Sequence, residues 1–449
     1  MRNFRTLFII AFVILISCSN HTPEDNPVFE EKKATEVTIN WNNQKQTIIG
    51  NGINFEGYHT SGGTEVLSSK FESMLATLPT ELARISLPLK IWEPVNDNAD
   101  PATFNLNNFQ DTQGAHYTFL RMQELKKRGI SSWLSIWDLE NWNITNPDKT
   151  YARRIANFDE MAESIGTFLL QARDKYQVEP IYVSVNEPTI ASENGWGGYQ
   201  IALSPEEQIL LITKAGAWFE KHGIKTKWLV ALHKIYPSEI EQAKQIFANN
   251  DVKKYMAGFD FHGYGMHKSE FEAYMKSWEA WVKSTGLPTF CGECDYDNQF
   301  WLNSDRETWT IAAKNTGILL NRLFNMAGVS GVLPWYGNSA DATRPYRFVA
   351  KHFMETFKSG TIVVESSSPN SEVLVTAGKR QGKYIIHLQN TSNLEIKVQI
   401  KDIPVQKFDC ISTLPQSYYL TNNVLSVTNG QLSLVLPANS LYTLSGAID

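Results

Sequence analysis

The sequence has few cysteines and no recognisable set of metal ligands. Only four of its 449 residues are cysteine, and the C-x-x-C formed by Cys291 and Cys294 has no second pair nearby to complete a zinc site. Residues three apart on a strand point to opposite faces, so we expect these two sulfurs not to meet. No H-E-x-x-H motif is present. We therefore predict no metal and interpret both cysteines as small buried residues.

The sequence also lacks a basic run and a nucleotide-binding glycine loop. Its formal net charge is −6, which argues against a nucleic-acid partner. A doubly wound open sheet would carry a glycine-rich phosphate turn after its first strand. Gly50 and Gly52 have no third glycine at the required spacing, and we expect no cofactor.

No apolar run of the chain is long enough to predict a permanent membrane-spanning helix. The run at residues 7–16 follows two arginines and ends close to Cys18, a pattern that resembles a bacterial lipoprotein signal. We interpret residues 1–18 as a signal peptide with Cys18 as the lipidated residue, and residues 19–35 as a flexible tether. Ser19 favours the outer membrane of a Gram-negative-type bacterium, on its periplasmic face or at the cell surface. An ordinary cleaved signal with an incidental cysteine is the alternative.

Between residues 48 and 360, apolar strand patterns alternate with amphipathic helix patterns. Eight strand–helix units over roughly 300 residues match a (β/α)8 TIM barrel in number and size. A doubly wound open sheet is the structural alternative. The predicted strands are Ile48–Gly57, Glu81–Leu89, Ser131–Leu139, Pro180–Glu187, Lys227–His233, Met256–Tyr264, Thr289–Cys294 and Val329–Trp335.

The pattern changes after residue 360. Short alternating runs are separated by turn residues, which is typical of an antiparallel β-sandwich. We assign residues 361–449 to this sandwich. The segment Glu36–Trp41 alternates in the same way, so we predict that residues 36–47 add a strand to it.

Two glutamates stand where predicted strands end. Glu187 ends the fourth strand, just before Pro188, which cannot donate to a strand ladder. Glu293 ends the seventh strand. In an eight-stranded parallel barrel these positions face each other across the catalytic end. Two carboxyl groups in unlike environments are what hydrolysis of a glycosidic bond requires, although a strand-end glutamate facing solvent is the simpler alternative.

The strand ends together resemble those of the clan A retaining glycoside hydrolases. That clan has Asn-Glu-Pro on strand four, a glutamate on strand seven, an arginine on strand two, His-x-Tyr on strand six and a tryptophan on strand eight. The matching residues of this sequence are Asn186-Glu187-Pro188, Glu293, Arg84, His262-Gly-Tyr264 and Trp335.

The resemblance implies a role for the two carboxylates and their neighbours. Glu187 would be the acid/base and Glu293 the nucleophile. Asn186 would bond the 2-hydroxyl of the sugar. Tyr264 would hold the nucleophile, and Arg84 would keep it ionised by its charge.

Further residues on the same face are candidates for binding the substrate. The resemblance matches His262 to the histidine at the end of strand six, where it is either a substrate contact or structural, and it places Trp335 beneath the bound sugar. The chain has 13 tryptophans, and those that follow barrel strands suggest a cleft. They are Trp92, Trp137, Trp142, Trp196 and Trp301, and the acidic candidates after strands one and three are Glu56, Asp138 and Glu140.

The flanking sandwich makes glycoside hydrolase family 30 the most similar family. Two segments near the ends of the chain, 46–52 and 436–444, resemble that family's edges. The family usually has Gln before Asn-Glu-Pro and Thr before the nucleophile, whereas this chain has Val185 and Gly292. Gly-Glu is closer to glycoside hydrolase family 5, which is the second choice.

These observations predict an exported retaining β-glycoside hydrolase that acts on a β-linked oligo- or polysaccharide. Glucan, galactan, xylan and glucosylceramide-like substrates are all compatible with the resemblance, as are exo and endo action. The alternatives are a non-catalytic surface glycan-binding protein on the same barrel and a transglycosylase that uses the same residues.

Overall fold

The barrel is an eight-stranded parallel sheet whose strand order follows the chain. The computed structural model describes residues 33–55, 66–67, 69–149, 152–188, 201–297, 309–335 and 345–448. A first strand, β1 (Thr35–Thr47), precedes the barrel. The barrel strands are β2 (Gly52–Phe55), β3 (Leu82–Leu87), β4 (Ser131–Ile136), β5 (Tyr182–Val185), β6 (Lys227–Ala231), β7 (Met256–His262), β8 (Thr289–Glu293) and β9 (Gly331–Val332).

The sheet closes between its first and last strands. Asn54 forms a parallel bridge with Trp335, and the Asn54 N–H donates to the carbonyl of Pro334 at 3.2 Å. The observed strands are shorter than the predicted ones because their last residues turn into the loops at the carboxyl end. The predicted TIM barrel is confirmed.

Helices connect the barrel strands and carry apolar stripes toward them. The Ser204 side chain and Glu207 form a capping box at the start of one helix, with Pro205 at its first position. Gly286 ends another in the left-handed conformation. The helices are α1 (Ser69–Thr77), α2 (Leu89–Trp92), α3 (Gln113–Lys127), α4 (Phe158–Asp174), α5 (Pro205–Lys221), α6 (Pro237–Ala248), α7 (Asn250–Tyr255), α8 (Glu272–Thr285), α9 (Lys314–Asn325) and α10 (Pro345–Thr356).

Bulky side chains fill the interior of the barrel below its carboxyl end. Leu82, Trp133, Leu229, Phe290 and Leu333 form one buried cluster there. The Trp133 indole N–H donates to the Ser184 hydroxyl at 2.9 Å, which satisfies the one polar group that this large ring brings into the interior. The site at the top of the barrel therefore rests on a packed floor.

The second part of the fold is a sandwich whose apolar faces enclose their own core. β1 enters it at the start of the chain and pairs antiparallel with β10 and parallel with β13. The predicted sandwich with an N-terminal strand is thus confirmed. Its remaining strands are β10 (Ile362–Ser367), β11 (Val373–Arg380), β12 (Lys383–Asn390), β13 (Ile396–Ile400), β14 (Lys407–Leu414), β15 (Ser417–Thr421), β16 (Leu425–Ser426), β17 (Leu432–Leu436) and β18 (Ser440–Ala447).

A buried histidine–threonine network joins the barrel's last helix to the sandwich, within one compact unit that spans residues 34–449. His352 on α10 contacts the hydroxyls of Thr443 and Thr413 at 2.7 and 2.8 Å. His387 on β12 contacts Thr443 and Thr356 at 2.8 and 3.0 Å. Burial lowers the pKa of His352 to about 3 and that of His387 well below its usual value. Both imidazoles are therefore neutral at ordinary pH.

The predicted signal segment, including Cys18, lies outside the described residues. Within the part of the chain that the structure describes, no helix combines the length and the apolar character needed to cross a membrane. The proposed lipid anchor therefore remains a prediction from the sequence.

Candidate active site

The two strand-end glutamates come together at the carboxyl end of the barrel. Glu293 is the last residue of β8 and is 1% exposed. Glu187 follows β5 by two residues, and its side chain is 14% exposed. One carboxylate oxygen of each lies within 4.8 Å of the other. The backbone of Glu187 is left-handed, with φ of 43°, a rare conformation for a residue with a side chain and one found at functional sites.

Glu293 is held by three side chains from other strands. The Arg84 guanidinium donates to its Oε1 at 2.9 Å. The Tyr264 hydroxyl donates to its Oε2 at 2.9 Å, and His262 Nδ1 lies 3.2 Å from the same oxygen. Burial and the nearby Glu293 charge raise the pKa of Tyr264 well above its usual value, so Tyr264 remains a hydrogen-bond donor. These contacts favour the ionised form of Glu293.

Asn186 is oriented by the same arginine. Arg84 Nη2 donates to Asn186 Oδ1 at 2.5 Å, which fixes the amide so that its Nδ2 group is left over. This Nδ2 is buried and makes no hydrogen bond with the residues that the structure describes. A buried donor of this kind is costly unless a ligand satisfies it.

Glu187 lies beside two histidines. His262 Nδ1 is 2.8 Å from Glu187 Oε1, so this ring nitrogen stands between the two carboxylates. His233 Nε2 is 3.6 Å from the same Glu187 oxygen. Burial lowers the pKa of His233, and the Glu187 charge opposes this only in part.

The sequence analysis missed His233. It follows β6 by two residues, and it was the last residue of a predicted strand, as Glu187 was. Its strand-end position was therefore a usable signal. No local pattern indicates that the loop after β6 brings a side chain to Glu187, which follows β5.

Two tryptophans border the carboxylates. The rings of Trp137 and Trp335 meet edge to face with centroids 5.9 Å apart, and Trp335 also lies 6.3 Å from the Tyr264 ring. Arg84 lies 5.8 Å from the centroid of the Trp137 ring. The carboxylates and the predicted residues Arg84, Asn186, His262, Tyr264, Trp137 and Trp335 therefore converge on one end of the barrel.

The geometry can be compared with known proteins. No profile of a known protein family matches the sequence, and no curated protein sequence matches it. Among solved structures, a family 30 endoxylanase from Clostridium papyrosolvens C71 superimposes with a TM-score of 0.72 at 17% identity, covering 92% of this chain and 100% of that one. The chain has the glycoside hydrolase family 30 fold.

Two further structures with this fold agree. A family 30 subfamily 8 xylanase from Clostridium acetobutylicum gives a TM-score of 0.70 at 15% identity, with 92% of this chain and 99% of that chain covered. An endo-β1,6-glucanase gives 0.63 at 15% identity, with 92% and 95% covered. The predicted resemblance to family 30 is thereby confirmed at the level of the fold.

The family 30 fold places one predicted cleft tryptophan elsewhere. Trp92 is buried in the core, where its indole donates to Thr167 at 3.1 Å and its ring stacks on Phe109, so the suggestion that it borders the cleft is wrong. Trp142 is half-buried and donates to the carbonyl of Glu93. The remaining two, Trp196 and Trp301, lie outside the described residues.

The acidic candidates after strand three are also explained by the fold. Asp138 is paired with Arg153 at 2.6 Å. Glu140 is fully buried, and burial raises its pKa to about 7. Both side chains are therefore engaged within the protein, while Glu56 lies outside the described residues.

The unusual Gly292 before Glu293 has a structural cause. Its N–H donates to Asp260 Oδ1 at 3.0 Å. A Cβ at this position would lie 2.2 Å from that oxygen and 2.7 Å from the Trp133 ring, so the threonine usual in the family does not fit. Burial raises the pKa of Asp260 to about 7, while Arg84 acts to lower it.

The prediction that the sulfurs of Cys291 and Cys294 would not meet is wrong. Both are free and buried, and a side-chain hydrogen bond with Cys294 contributes to raising the pKa of Cys291. β8 ends at Glu293, so strand alternation no longer governs Cys294.

Glu187, His262 and Glu293 form the single grouping, among the residues described, whose donor atoms are close enough to surround a metal ion. Arg84 already supplies a positive charge at Glu293. The grouping is accordingly explained as a paired-carboxylate site, and no step below uses a metal.

Proposed function

We propose that the protein is a retaining β-glycoside hydrolase with Glu293 as nucleophile and Glu187 as acid/base. The proposal depends chiefly on one observation, the approach of a Glu187 oxygen to within 4.8 Å of a Glu293 oxygen. Retaining enzymes hold their carboxyl groups about 5–5.5 Å apart, whereas inverting enzymes leave about 6.5–9.5 Å for a water molecule. The observed approach supports retention.

The surroundings of Glu293 suit a nucleophile. Arg84 and Tyr264 both donate to its oxygens, so the carboxylate stays charged and correctly oriented. In the first step, Glu293 attacks the anomeric carbon and forms a glycosyl ester.

Glu187 is the more exposed of the two carboxyls, which suits a group that exchanges a proton with the leaving group and then with water. In the first step its proton passes to the glycosidic oxygen as the bond to the anomeric carbon breaks. In the second step the resulting carboxylate takes a proton from water. That water attacks the anomeric carbon and releases Glu293.

The substrate is proposed to be a β-linked glycan. The unsatisfied Asn186 Nδ2 supplies a donor for the 2-hydroxyl of the sugar bound at the carboxylates, and Trp335 and Trp137 supply apolar faces beside it. The structural neighbours named above include enzymes for xylan and β1,6-glucan, so these two polysaccharides head the substrates to test. We also propose export as a lipoprotein anchored through Cys18.

The test is a screen of aryl β-glycosides, xylan and β1,6-glucan with the native protein, Glu187→Ala and Glu293→Gln. We expect Glu293→Gln to fold normally and to lose nearly all turnover. Product released by the native enzyme should keep the β configuration when followed by NMR. Adding an acceptor sugar distinguishes hydrolysis from transglycosylation.

Two results would contradict the proposal. Substantial turnover by Glu293→Gln would remove Glu293 from the nucleophile role. An inverted first product would remove the double-displacement mechanism.

A further inference from the structure

We infer that His233, held by Glu239, is a positioning residue that keeps the Glu187 carboxyl aligned for proton transfer. The inference rests on the proposed function, since it assigns a role that acts through the acid/base. His233 lies on the loop after β6, a strand to which the resemblance assigned no site residue.

Two histidine nitrogens lie close to one oxygen of Glu187, Oε1. This one oxygen has His262 Nδ1 at 2.8 Å and His233 Nε2 at 3.6 Å. The two histidines are also tied by their backbones, because the His262 N–H donates to the carbonyl of His233 at 3.0 Å. The pair therefore borders the carboxyl from two neighbouring strands as one unit.

The backbone of Glu187 is in the left-handed conformation. A residue with a side chain adopts φ of 43° only where its surroundings hold it there. Glu187 is also partly exposed at 14%, so burial alone does not fix its rotamer. The His262 and His233 nitrogens near Oε1 restrict the side chain to the orientation that brings it within 4.8 Å of Glu293.

Glu239 is a buried carboxyl that the proposed mechanism does not otherwise use. Glu239 lies in the first turn of α6 and is 3% exposed. It accepts a hydrogen bond from the Lys234 N–H at 2.5 Å and also interacts with the His233 backbone. Glu239 thus fixes the two-residue segment that carries the His233 ring.

Charged groups surround this arrangement. His262 and Glu293 approach Glu187 from β7 and β8, and the Lys234 ammonium acts on it from the loop after β6. The Lys234 ammonium also lies over the rings of Tyr236 and Phe271, which keeps it on the α6 side. His233 is therefore the loop side chain that reaches the Glu187 carboxyl.

The chemistry gives a readout that separates positioning from general packing. Proton donation by Glu187 matters for a poor leaving group and is dispensable for a 2,4-dinitrophenolate. The experiment measures kcat/KM for two β-glycosides of the sugar found in the screen, one with an alkyl and one with a 2,4-dinitrophenyl leaving group. We expect His233→Ala to lose roughly 10- to 100-fold on the alkyl glycoside and nothing measurable on the dinitrophenyl glycoside.

Two additional variants sharpen the result. His233→Gln keeps a nitrogen donor close to the position of Nε2 and should recover part of the lost kcat/KM. Glu239→Gln replaces one carboxylate oxygen by an NH2 group, so it cannot accept from the backbone of both Lys234 and His233. It should lower kcat/KM for the alkyl glycoside and not for the dinitrophenyl glycoside, by a smaller factor than His233→Ala. The matched control is His222→Ala. His222 caps the C-terminus of α5 at the opposite end of the barrel and stacks on Trp218. This variant should leave kcat/KM for both substrates unchanged.

The outcomes separate this inference from the proposed function. Glu187→Ala must show the same split if it is the acid/base, and its absence there would overturn the proposed function. If Glu187→Ala shows the split but His233→Ala lowers both substrates equally, or neither, then His233 has no positioning role and the inference is wrong.

Discussion

Two pairs of histidines in the described residues invite comparison, one at the carboxyl end of the barrel and one where the barrel meets the sandwich. His262 and His233 lie against carboxylates of the candidate site. His352 and His387 lie among threonine hydroxyls, which satisfy both nitrogens of each ring. His233 is half-buried and the other three are fully buried, but the larger difference lies in their partners.

The difference shows what makes a buried histidine functional rather than structural. A hydroxyl can donate to or accept from a neutral imidazole, so His352 and His387 complete a closed network with no need for charge. A carboxyl group donates when protonated and only accepts when ionised, so the hydrogen bonds open to His262 and His233 change as Glu187 loses and regains its proton. His262 and His233, which we call the rim pair, can therefore influence the chemistry of the site. His352 and His387, which we call the interface pair, can influence only the stability of the fold.

The largest expected effect comes from breaking the rim pair at His262. His262→Ala removes the nitrogen shared by Glu187 and Glu293, and we expect kcat/KM to fall by roughly 100- to 1000-fold. Because His262 is fully buried, the variant should also lose stability, but kcat/KM measured on folded protein, well below the midpoint of urea unfolding, should still show the full loss. Steady-state kinetics and urea unfolding on the same preparation check both parts, and a kcat/KM near the native value in the folded variant would contradict the comparison.

The second prediction concerns His352, one of the two histidines where the barrel meets the sandwich. His352→Ala removes one hydrogen-bond partner each from the hydroxyls of Thr443 and Thr413 and opens a cavity, so the free energy of unfolding should fall by about 2–4 kcal/mol. The kcat per folded molecule should stay at the native value. His116→Ala, whose side chain is 40% exposed, is the control and should cost less than about 1 kcal/mol.

A third prediction concerns the pH dependence of unfolding. The interface histidines have folded-state pKa values depressed below their unfolded values, to about 3 for His352. Above the unfolded pKa both imidazoles are neutral in either state, so their contribution to stability is fully present. The free energy of unfolding falls as the pH falls from about 6.5 toward 3. For His352 alone this amounts to on the order of 2 kcal/mol at pH 5.

The buried carboxyls should act in the opposite direction. Burial raises the pKa of Glu140, Glu163 and Glu93 to about 7, 8 and 9. Their contribution to stability is present below the unfolded carboxyl pKa and is lost as the pH rises toward these values. Between pH 4.5 and 6.5 this effect opposes that of the histidines, because the carboxyls already ionise in the unfolded chain there. Urea unfolding of the native protein and of His352→Ala, followed from acid pH to above pH 9, should show a flatter acid limb in the variant and the same alkaline limb in both. An acid limb unchanged by that variant would contradict the assignment.

The smallest effect is expected from an exposed ion pair of the sandwich. Lys401 and Glu36 join β1 and β13 with their charges 2.8 Å apart, and their side chains are 43% and 56% exposed. Lys401→Ala should cost at most about 1 kcal/mol, and less at high salt. A larger loss in urea unfolding would show that β1 depends on this pair rather than on its ladder.

The barrel, the sandwich and the pairing of Glu187 with Glu293 could be predicted because they follow from periodicity and strand ends. Alternation of strands and helices fixes the parallel order, and that order brings the ends of β5 and β8 to the same face. The family 30 fold supports this part of the prediction.

Other features depended on contacts that no local pattern encodes. Trp92 and Trp137 both follow barrel strands, yet the first packs into the core and the second borders the site. The partner of His233 comes from another strand. The thiols of Cys291 and Cys294 approach because β8 ends between them, and strand ends are the least certain part of a sequence-based assignment.

The contact between Gly292 and Asp260 has a consequence for how this site changes over time. A side chain at position 292 and a carboxylate at position 260 compete for the same space, so neither order of replacement is neutral. Introducing threonine first produces a clash, and removing Asp260 first leaves the Gly292 N–H without its acceptor. A lineage can cross between the two forms of the site only through a weakened intermediate or by a paired exchange, and each form is therefore preserved by its own epistasis.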